Sequence, residues 1–350
     1  MTSILGLTLS ELEEKLSHLP RFRAKQIYDW IIKGVSSFND MKNIPLTLQN
    51  ELKENFKIFC GSVHNLQEDN GTKKTVITLK DNALIESVLL NDGKKRFTAC
   101  ISTQAGCSCK CVFCKTGSIG FKRNLDTQEI MEQFLRLRIL CTSDFNTNSK
   151  DSHIIDNIVF MGMGEPLLNL TNLRKTIEVL TCKNGFNFSK RRITVSTCGI
   201  CDGLFDIADN GPYIRLALSL TTADEPLRQE LMPIAVSNPL EKIKEALLLF
   251  QRNGGARITL EVPLLKDINT REKDALSIAK FASGIDCVVN VIPWNPVSGL
   301  MYKEKQIMEP PKKETEDYIR MLEKLKLKVT VRLHKGKKIM GACGQLGEVI

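Results

Sequence analysis

Apolar residues recur at three- and four-residue intervals through the first sixty positions, in Leu9-Ser10-Glu11-Leu12-Glu13-Glu14-Lys15-Leu16 and again in Lys25-Gln26-Ile27-Tyr28-Asp29-Trp30-Ile31-Ile32. That period predicts amphipathic helices, punctuated by Gly34, Ser36-Ser37 and Pro45. The result is a small helical module carrying Arg21, Arg23 and Lys25 on its loop. From residue 62 the pattern turns to strand, with Lys74–Leu79 and Ala83–Leu90 separated by a turn at Lys80-Asp81-Asn82 and followed by another at Asn91-Asp92-Gly93. Beyond Phe97, short apolar runs alternate with helical patterns. The strand candidates are Phe97–Ser102, Asn157–Met161, Arg192–Ser196, Ile214–Leu220, Arg257–Val262, Val288–Pro293 and Lys328–Arg332. Asp126-Thr127-Gln128-Glu129 reads as a capping box opening a helix that turns Ile130, Phe134 and Leu137 inward. Asn238-Pro239-Leu240-Glu241 reads as a second start, and Gly254-Gly255 as the stop of that helix. Thr142–Asp151 is polar throughout and reads as an exposed loop. Strands too apolar to face water, alternating with helices, predict an α/β fold with a parallel sheet, either a barrel or doubly wound. The chain divides into a helical accessory module at 1–60, a β extension at 61–96, a β/α body at 97–340 and a terminal loop at 341–350.

Composition narrows the class. With 350 residues, 42% hydrophobic and 25% charged, the chain is long enough for about two domains and unlike a disordered or disulfide-scaffold protein. Charges interrupt every apolar stretch before it reaches the ~18 residues of a membrane span. The opening residues lack a basic n-region and a cleavage pattern, so a cytoplasmic protein is expected. Lys and Arg total 49 against 40 Asp and Glu, a formal balance of +9 that suits a nucleic-acid partner and equally a mildly basic soluble protein.

The twelve cysteines are more informative. In a large chain without a secretion signal they point to metal, cluster or thiol chemistry rather than structural disulfides. Cys60, Cys141, Cys182, Cys198, Cys201 and Cys287 are scattered and read as small buried hydrophobes. Cys107, Cys111 and Cys114 stand in C-x3-C-x2-C spacing on the loop after the first β/α strand. Three thiolates on one short loop can hold three irons of a cubane cluster and leave the fourth open as a Lewis acid. The alternative is zinc with Cys109 as the fourth thiolate, although ligands packed so tightly would strain a tetrahedron.

This motif resembles the radical S-adenosylmethionine (SAM) superfamily, and the resemblance sharpens to the RlmN/Cfr family of RNA methyltransferases from about Arg21 to Leu346. It is carried by Phe22-Arg23-Ala24-Lys25-Gln26, Cys100-Ile101-Ser102-Thr103-Gln104-Ala105-Gly106-Cys107, Gly120-Phe121-Lys122-Arg123-Asn124-Leu125 and Met161-Gly162-Met163-Gly164-Glu165-Pro166. Leu231-Met232-Pro233-Ile234, Ile292-Pro293-Trp294-Asn295-Pro296 and Gly341-Ala342-Cys343-Gly344-Gln345-Leu346 continue it. The forms around Phe121, Glu165 and Trp294 resemble the branch that methylates carbon 2 of adenosine rather than the branch that methylates carbon 8.

The resemblance implies a partial (β/α)6 radical-SAM barrel, one [4Fe-4S] cluster on Cys107, Cys111 and Cys114, and two SAM molecules per turnover. It implies SAM contacts at Gly164, Glu165, Ser196, Ser219, Leu220, Thr221 and Asn295. Thr221 departs from the histidine common in the family. It further implies that Cys343 receives a methyl from one SAM, that a 5′-deoxyadenosyl radical from a second activates that methyl, and that Glu86 accepts the ring proton. Cys100 then releases the product by forming a disulfide with Cys343. Read from the residues alone, Cys343 lies between glycines on a loop expected to be mobile, Cys100 is a buried strand residue and Glu86 an exposed one. The implied partners are 23S rRNA, tRNA and an electron-donor protein such as flavodoxin or ferredoxin, with the enzyme a monomer and no membrane involved. Candidate phosphate contacts are Arg21/Arg23/Lys25, Lys94-Lys95-Arg96, Lys122/Arg123, Lys190-Arg191-Arg192 and Lys335/Lys337/Lys338. A zinc-stabilised RNA-binding protein without catalysis is the reading from another class.

Overall fold

In a computed structural model, residues 2–93, 96–143, 155–332 and 335–347 are described. The amino-terminal helices are α1 (Leu9–Lys15), α2 (Arg21–Lys33) and α3 (Leu46–Asn55). Thr8 and Glu11 form a reciprocal capping box on α1. Arg21, Arg23 and Lys25 lie in the first turns of α2 rather than on a loop, because Pro20 supplies the cap position and the helix begins directly after it. The module is not a satellite. Tyr28, Ile27 and Leu12 belong to the same continuous core as the strands of the body.

The β extension is an antiparallel meander, β1 (Ser62–Asp69), β2 (Thr72–Thr78) and β3 (Leu84–Asn91). It joins edge to edge with the body in one ten-stranded sheet. The body contributes β4 (Phe97–Cys100), β5 (Asn157–Phe160), β6 (Ile193–Thr197), β7 (Arg215–Ser219), β8 (Ile258–Leu264), β9 (Cys287–Pro293) and β10 (Val329–Val331). All seven pair in parallel and in chain order, so every body strand candidate falls on a strand. Intervening helices α4 (Thr127–Ser143), α5 (Leu170–Thr181), α6 (Cys201–Asn210), α7 (Glu225–Leu231), α8 (Leu240–Arg252), α9 (Glu272–Ala282) and α10 (Lys312–Lys324) make the crossovers. Six β/α units and a final strand form the body. Among the described residues β4 and β10 do not pair, so the barrel is unclosed. The segment after β10 spans the gap, where the Lys335 ammonium donates to the Asn91 carbonyl at 2.6 Å.

The Asp126–Glu129 capping box forms as expected, each residue's backbone N–H donating to the other's side chain. The second expected start differs. Asn238 accepts from the Cys201 N–H instead, and the Leu240 N–H is satisfied by Glu225 from α7. Helix α4 runs into the segment expected to be a loop, through Ser143, while residues 144–151 of it lie outside the described residues. No helix among the described residues is long and apolar enough to cross a membrane.

Helix α4 shows how the core is tied. Phe134 is buried and meets Phe186 and Phe188 edge to face, with ring centroids 5.4 and 6.3 Å away. Phe134→Ala is therefore expected to cost about 3–5 kcal/mol, read as a lower urea midpoint at unchanged slope.

Candidate functional site

In a parallel β/α body the C-terminal strand ends are where loops converge and polar groups become available. A cavity of about 180 Å³ opens there, and a larger one of about 630 Å³ adjoins it inside the barrel, lined toward the N-terminal strand ends by Thr98, Asn157, Thr194, Arg215 and Thr259. The smaller is lined by Cys107, Cys109, Cys111 and Cys114 from the loop after β4, and by Gly164 and Glu165 after β5. Ser196 on β6, Ser219 and Thr221 around the end of β7, Glu261 on β8, Asn295 after β9, and Cys343 complete it. Thus all nine cluster and SAM positions other than Leu220 share this cavity with Cys343.

Cys107, Cys111 and Cys114 all face the cavity. Burial pushes the thiols of Cys111 and Cys114 up, and a hydrogen bond from Cys109 together with burial does so for Cys107. Three such thiols side by side are poor thiolates unless positive charge from bound iron compensates them. Among the described residues, Cys109, Glu165 and Cys198 are the set whose ligand atoms lie within 4.8 Å of one another. Cys107, Cys111 and Cys114 are spread more widely, which suits a polynuclear cluster better than one tetrahedral zinc ion. Cys109 contacts Cys198, sulfur to sulfur, at 3.5 Å. Cys198, expected to be an inert core cysteine, is buried but lines this cavity.

Gly164 has φ of +97°, and a Cβ there would lie 2.4 Å from Gln104 Cβ. Only glycine lets the chain turn back at this point. The turn delivers Glu165, which is buried, with its carboxylate accepting from the backbone N–H groups of Leu167 at 3.0 Å and Cys198 at 2.8 Å. Burial raises its carboxyl pKa above the usual range, against the pull of those hydrogen bonds. Ser196 Oγ donates to Glu261 at 2.8 Å and lies 3.2 Å from Ser219 Oγ. Thr221 adopts φ of +63°, and its fully buried hydroxyl has no hydrogen-bond partner. An orphaned hydroxyl on a cavity wall fits a site whose polar ligand supplies the missing bond. Leu220 turns its side chain into the core, and its carbonyl accepts from the buried Arg228. Arg228 also donates to the Cys198 carbonyl at 2.6 Å, so one buried cation props two of the loops that form the wall.

The larger cavity brings Cys100 on β4 together with Cys343, both as free thiols. Burial and the neighbouring Cys343 push the Cys100 thiol up to about 12, while Arg332 pulls it back. The loop bearing Cys343, expected to be mobile, is hydrogen-bonded to its surroundings in this structure. Its residues accept from Asn295 at 3.0 Å, from the Lys115 N–H at 2.8 Å and from the Thr116 hydroxyl at 2.6 Å. The buried Gln345 side chain bridges Ala342 and Pro296. Glu86, read as exposed, is buried, 3.7 Å from the Lys74 ammonium, and accepts from the Gly347 N–H at 3.1 Å. It lines neither cavity.

Sequence reading missed Glu261, Arg228 and Arg332. A lone carboxylate in the apolar run Ile258-Thr259-Leu260-Glu261-Val262 was the available signal for the first. Of the basic candidates, Arg123 is committed to Asp81 and Glu129, Lys335 to Asn91 and Lys337 to Glu309. Arg21, Arg96, Lys122, Lys190, Arg191, Arg192 and Lys338 are exposed, while Lys94 and Lys95 lie outside the described residues.

The Radical SAM superfamily model matches residues 101–279, and the model for a ribosomal RNA large subunit methyltransferase N-terminal domain matches residues 2–58. A probable dual-specificity RNA methyltransferase RlmN of Treponema denticola is 45% identical over 99% of this chain and 95% of its own length. One from Clostridium beijerinckii is 39% identical over 99% and 95%. The crystal structure of a radical SAM methyltransferase from Sphaerobacter thermophilus superposes with a TM-score of 0.91 at 31% identity, covering 99% of both chains.

Gly106, directly before the first cysteine of the loop, has φ of +80°, and a Cβ there would come 1.9 Å from the Gly120 carbonyl oxygen. Gly106→Ala must displace that backbone. Reconstituted protein is expected to hold less than half the wild-type iron, measured alongside its thermal midpoint.

Proposed function

The chain belongs to the RlmN family of RNA methyltransferases with a radical SAM domain, and from that premise we propose that it methylates carbon 2 of adenosine in 23S rRNA and in tRNA, where the target is the adenosine 3′ of the anticodon. The observation that supports this most directly is the meeting of Cys100, Cys343 and the three-cysteine loop around two joined cavities. A non-catalytic RNA-binding protein has no use for the two extra thiols.

Carbon 2 of adenine is electron-poor and has no acidic hydrogen, so it does not attack the electrophilic methyl of SAM. A [4Fe-4S] cluster held by Cys107, Cys111 and Cys114, with SAM, supplies when bound the one-electron chemistry such a carbon requires. The protein's own residues do the rest. Gly164 opens backbone for SAM, Glu165 receives its ammonium, and Ser196, Ser219, Thr221 and Asn295 offer hydrogen bonds along the wall, with Leu220 contributing backbone only. The Cys343 thiolate takes a methyl by displacement. Once that carbon is bonded to adenine, Glu86 removes the ring proton, which requires the tail at Gly347 to move off its carboxylate. Cys100 then attacks the Cys343 sulfur, forming a disulfide as the methylated base leaves. Two SAM molecules are used per turnover. The exposed cations at Arg21, Lys122 and Lys190–Arg192 serve RNA phosphates, and a flavodoxin or ferredoxin delivers the electron in the cytoplasm to a monomeric enzyme.

The decisive experiment joins cluster analysis to product analysis. Anaerobically reconstituted protein is expected to carry about four irons and an EPR spectrum that shifts on adding SAM, and digested RNA is expected to contain 2-methyladenosine. The carbon-8 isomer would replace this regiochemistry, and stoichiometric zinc would remove the radical reading. Cys100→Ala is expected to leave RNA covalently attached to Cys343, seen as a nuclease-sensitive slow band on a denaturing gel.

Glu165 also gives a pH prediction. Its pKa is raised in the ligand-free protein, and binding the SAM ammonium needs the carboxylate. Affinity is therefore full above that raised pKa and falls as pH drops through it, by up to tenfold per unit. Equilibrium dialysis from pH 8 to pH 5 is expected to give that slope in the wild type and a flat, weaker profile in Glu165→Gln.

A further inference from the structure

An ion pair, Arg332 with Glu261, stands at the wall between the two cavities. Arg332, at the end of β10, places Nη1 3.5 Å from Glu261 Oε1 and 3.4 Å from Met161 Sδ. Glu261, buried on β8, turns its other oxygen to the Ser196 hydroxyl at 2.8 Å, and that hydroxyl touches Ser219. A continuous polar chain thus runs from the serines of the smaller cavity, through Glu261, to a guanidinium that lines the larger cavity together with Cys100 and Cys343.

We propose that Arg332 is the counter-ion of the Cys343 thiolate, a positioning residue aimed at the two thiols by Glu261. The inference rests on the reading of Cys343 as the methyl acceptor. A thiol must lose its proton to displace a methyl from SAM, and the proton goes to solvent before the sulfur–carbon bond forms and the sulfonium–carbon bond breaks. Later the Cys100 thiolate attacks the Cys343 sulfur, so negative charge appears twice beside the same guanidinium. Arginine suits this place because it stays charged when buried and its fork can meet Glu261 and a sulfur together. The negative charge of Cys343, and more weakly that of Glu261 and Cys100, strengthens Arg332's hold on its proton against burial. The other charged or titratable groups facing this cavity are Cys100 on β4, Glu261 on β8, Arg215 on β7, Lys335 beyond β10, and Asp92 and Arg96 before β4. Lys335 is engaged by Asn91. Glu86 approaches the same tail at Gly347.

The test is the pH profile of Cys343 alkylation by iodoacetamide in anaerobic holoenzyme without SAM, followed by peptide mass spectrometry. Arg332→Gln is expected to move the midpoint to higher pH by about half a unit and to slow alkylation at pH 7.5 about threefold, while Arg332→Lys restores most of the rate. Iron content and the SAM-induced EPR shift serve as the control for folding. An unmoved midpoint overturns the proposal. A second measurement needs no variant. If a cation stands beside Cys343, wild-type protein reacts with anionic iodoacetate, relative to neutral iodoacetamide, faster than a short cysteine peptide does, and an equal or lower ratio also overturns it. A Cys343 that meets both expectations but never gains a methyl from SAM would leave the counter-ion standing and remove the methyl-acceptor reading.

Discussion

Everything in the site depends on how the segment 343–347 is fastened to the loop that carries the three cysteines. The Lys115 N–H and Thr116 hydroxyl, just past Cys114, hold the carbonyls of Gly344 and Leu346. Trp294 donates to the Phe113 carbonyl at 3.0 Å, and its neighbour Asn295 donates to the Cys343 carbonyl. Backbone carbonyls buried at a strand end must be satisfied, and here they are satisfied by one another's neighbours. The result is that the three-cysteine loop, the wall after β9 and the backbone of Cys343 are tied to one another by hydrogen bonds. Such preorganisation is what brings reacting groups together without an entropic penalty at the moment of reaction.

Much of this was legible in the chain, and what was not has a common physical cause. The Asp126–Glu129 capping box and the short apolar runs are local signals, and they placed the start of α4 and the body strands correctly, with Cys107, Cys111 and Cys114 on the loop after β4. Contacts between distant residues are not local. Arg332 and Glu261 are 71 positions apart and meet because β8, β9 and β10 lie side by side in the sheet. Cys198 reaches Cys109 across 89 positions for the same kind of reason. Arg123 looked like a phosphate contact because its charge is visible in the sequence, whereas Asp81, which neutralises it from 42 positions away, is not visibly its partner. The hydrogen bonds that hold the Cys343 loop come from equally distant residues. Flanking glycines describe what a backbone is free to do, and the hydrogen bonds from Asn295, Lys115 and Thr116 decide what it does.

The site also divides its charges. Glu165 and the thiols of Cys107, Cys111 and Cys114 line the smaller cavity, and Arg228 supports the loops behind them without entering it. On the far side of Glu261 the cations Arg332, Arg215 and Lys335 outnumber the acids. The wall at Glu261 therefore separates a side rich in carboxylate and thiol groups from a side rich in guanidinium and ammonium groups, with a carboxylate–guanidinium pair between them.

The open side of β10, which pairs with β9 alone and not with β4, carries a topological meaning. A tube that closes on itself admits only objects with a free end or objects small enough to drop in. A sheet that stops short of closing has a seam, and a seam can take a nucleoside sideways while the strand it belongs to continues in both directions. Among the described residues the Lys335 ammonium reaches across that seam to the Asn91 carbonyl, and a hydrogen bond can part and reform where a paired strand cannot.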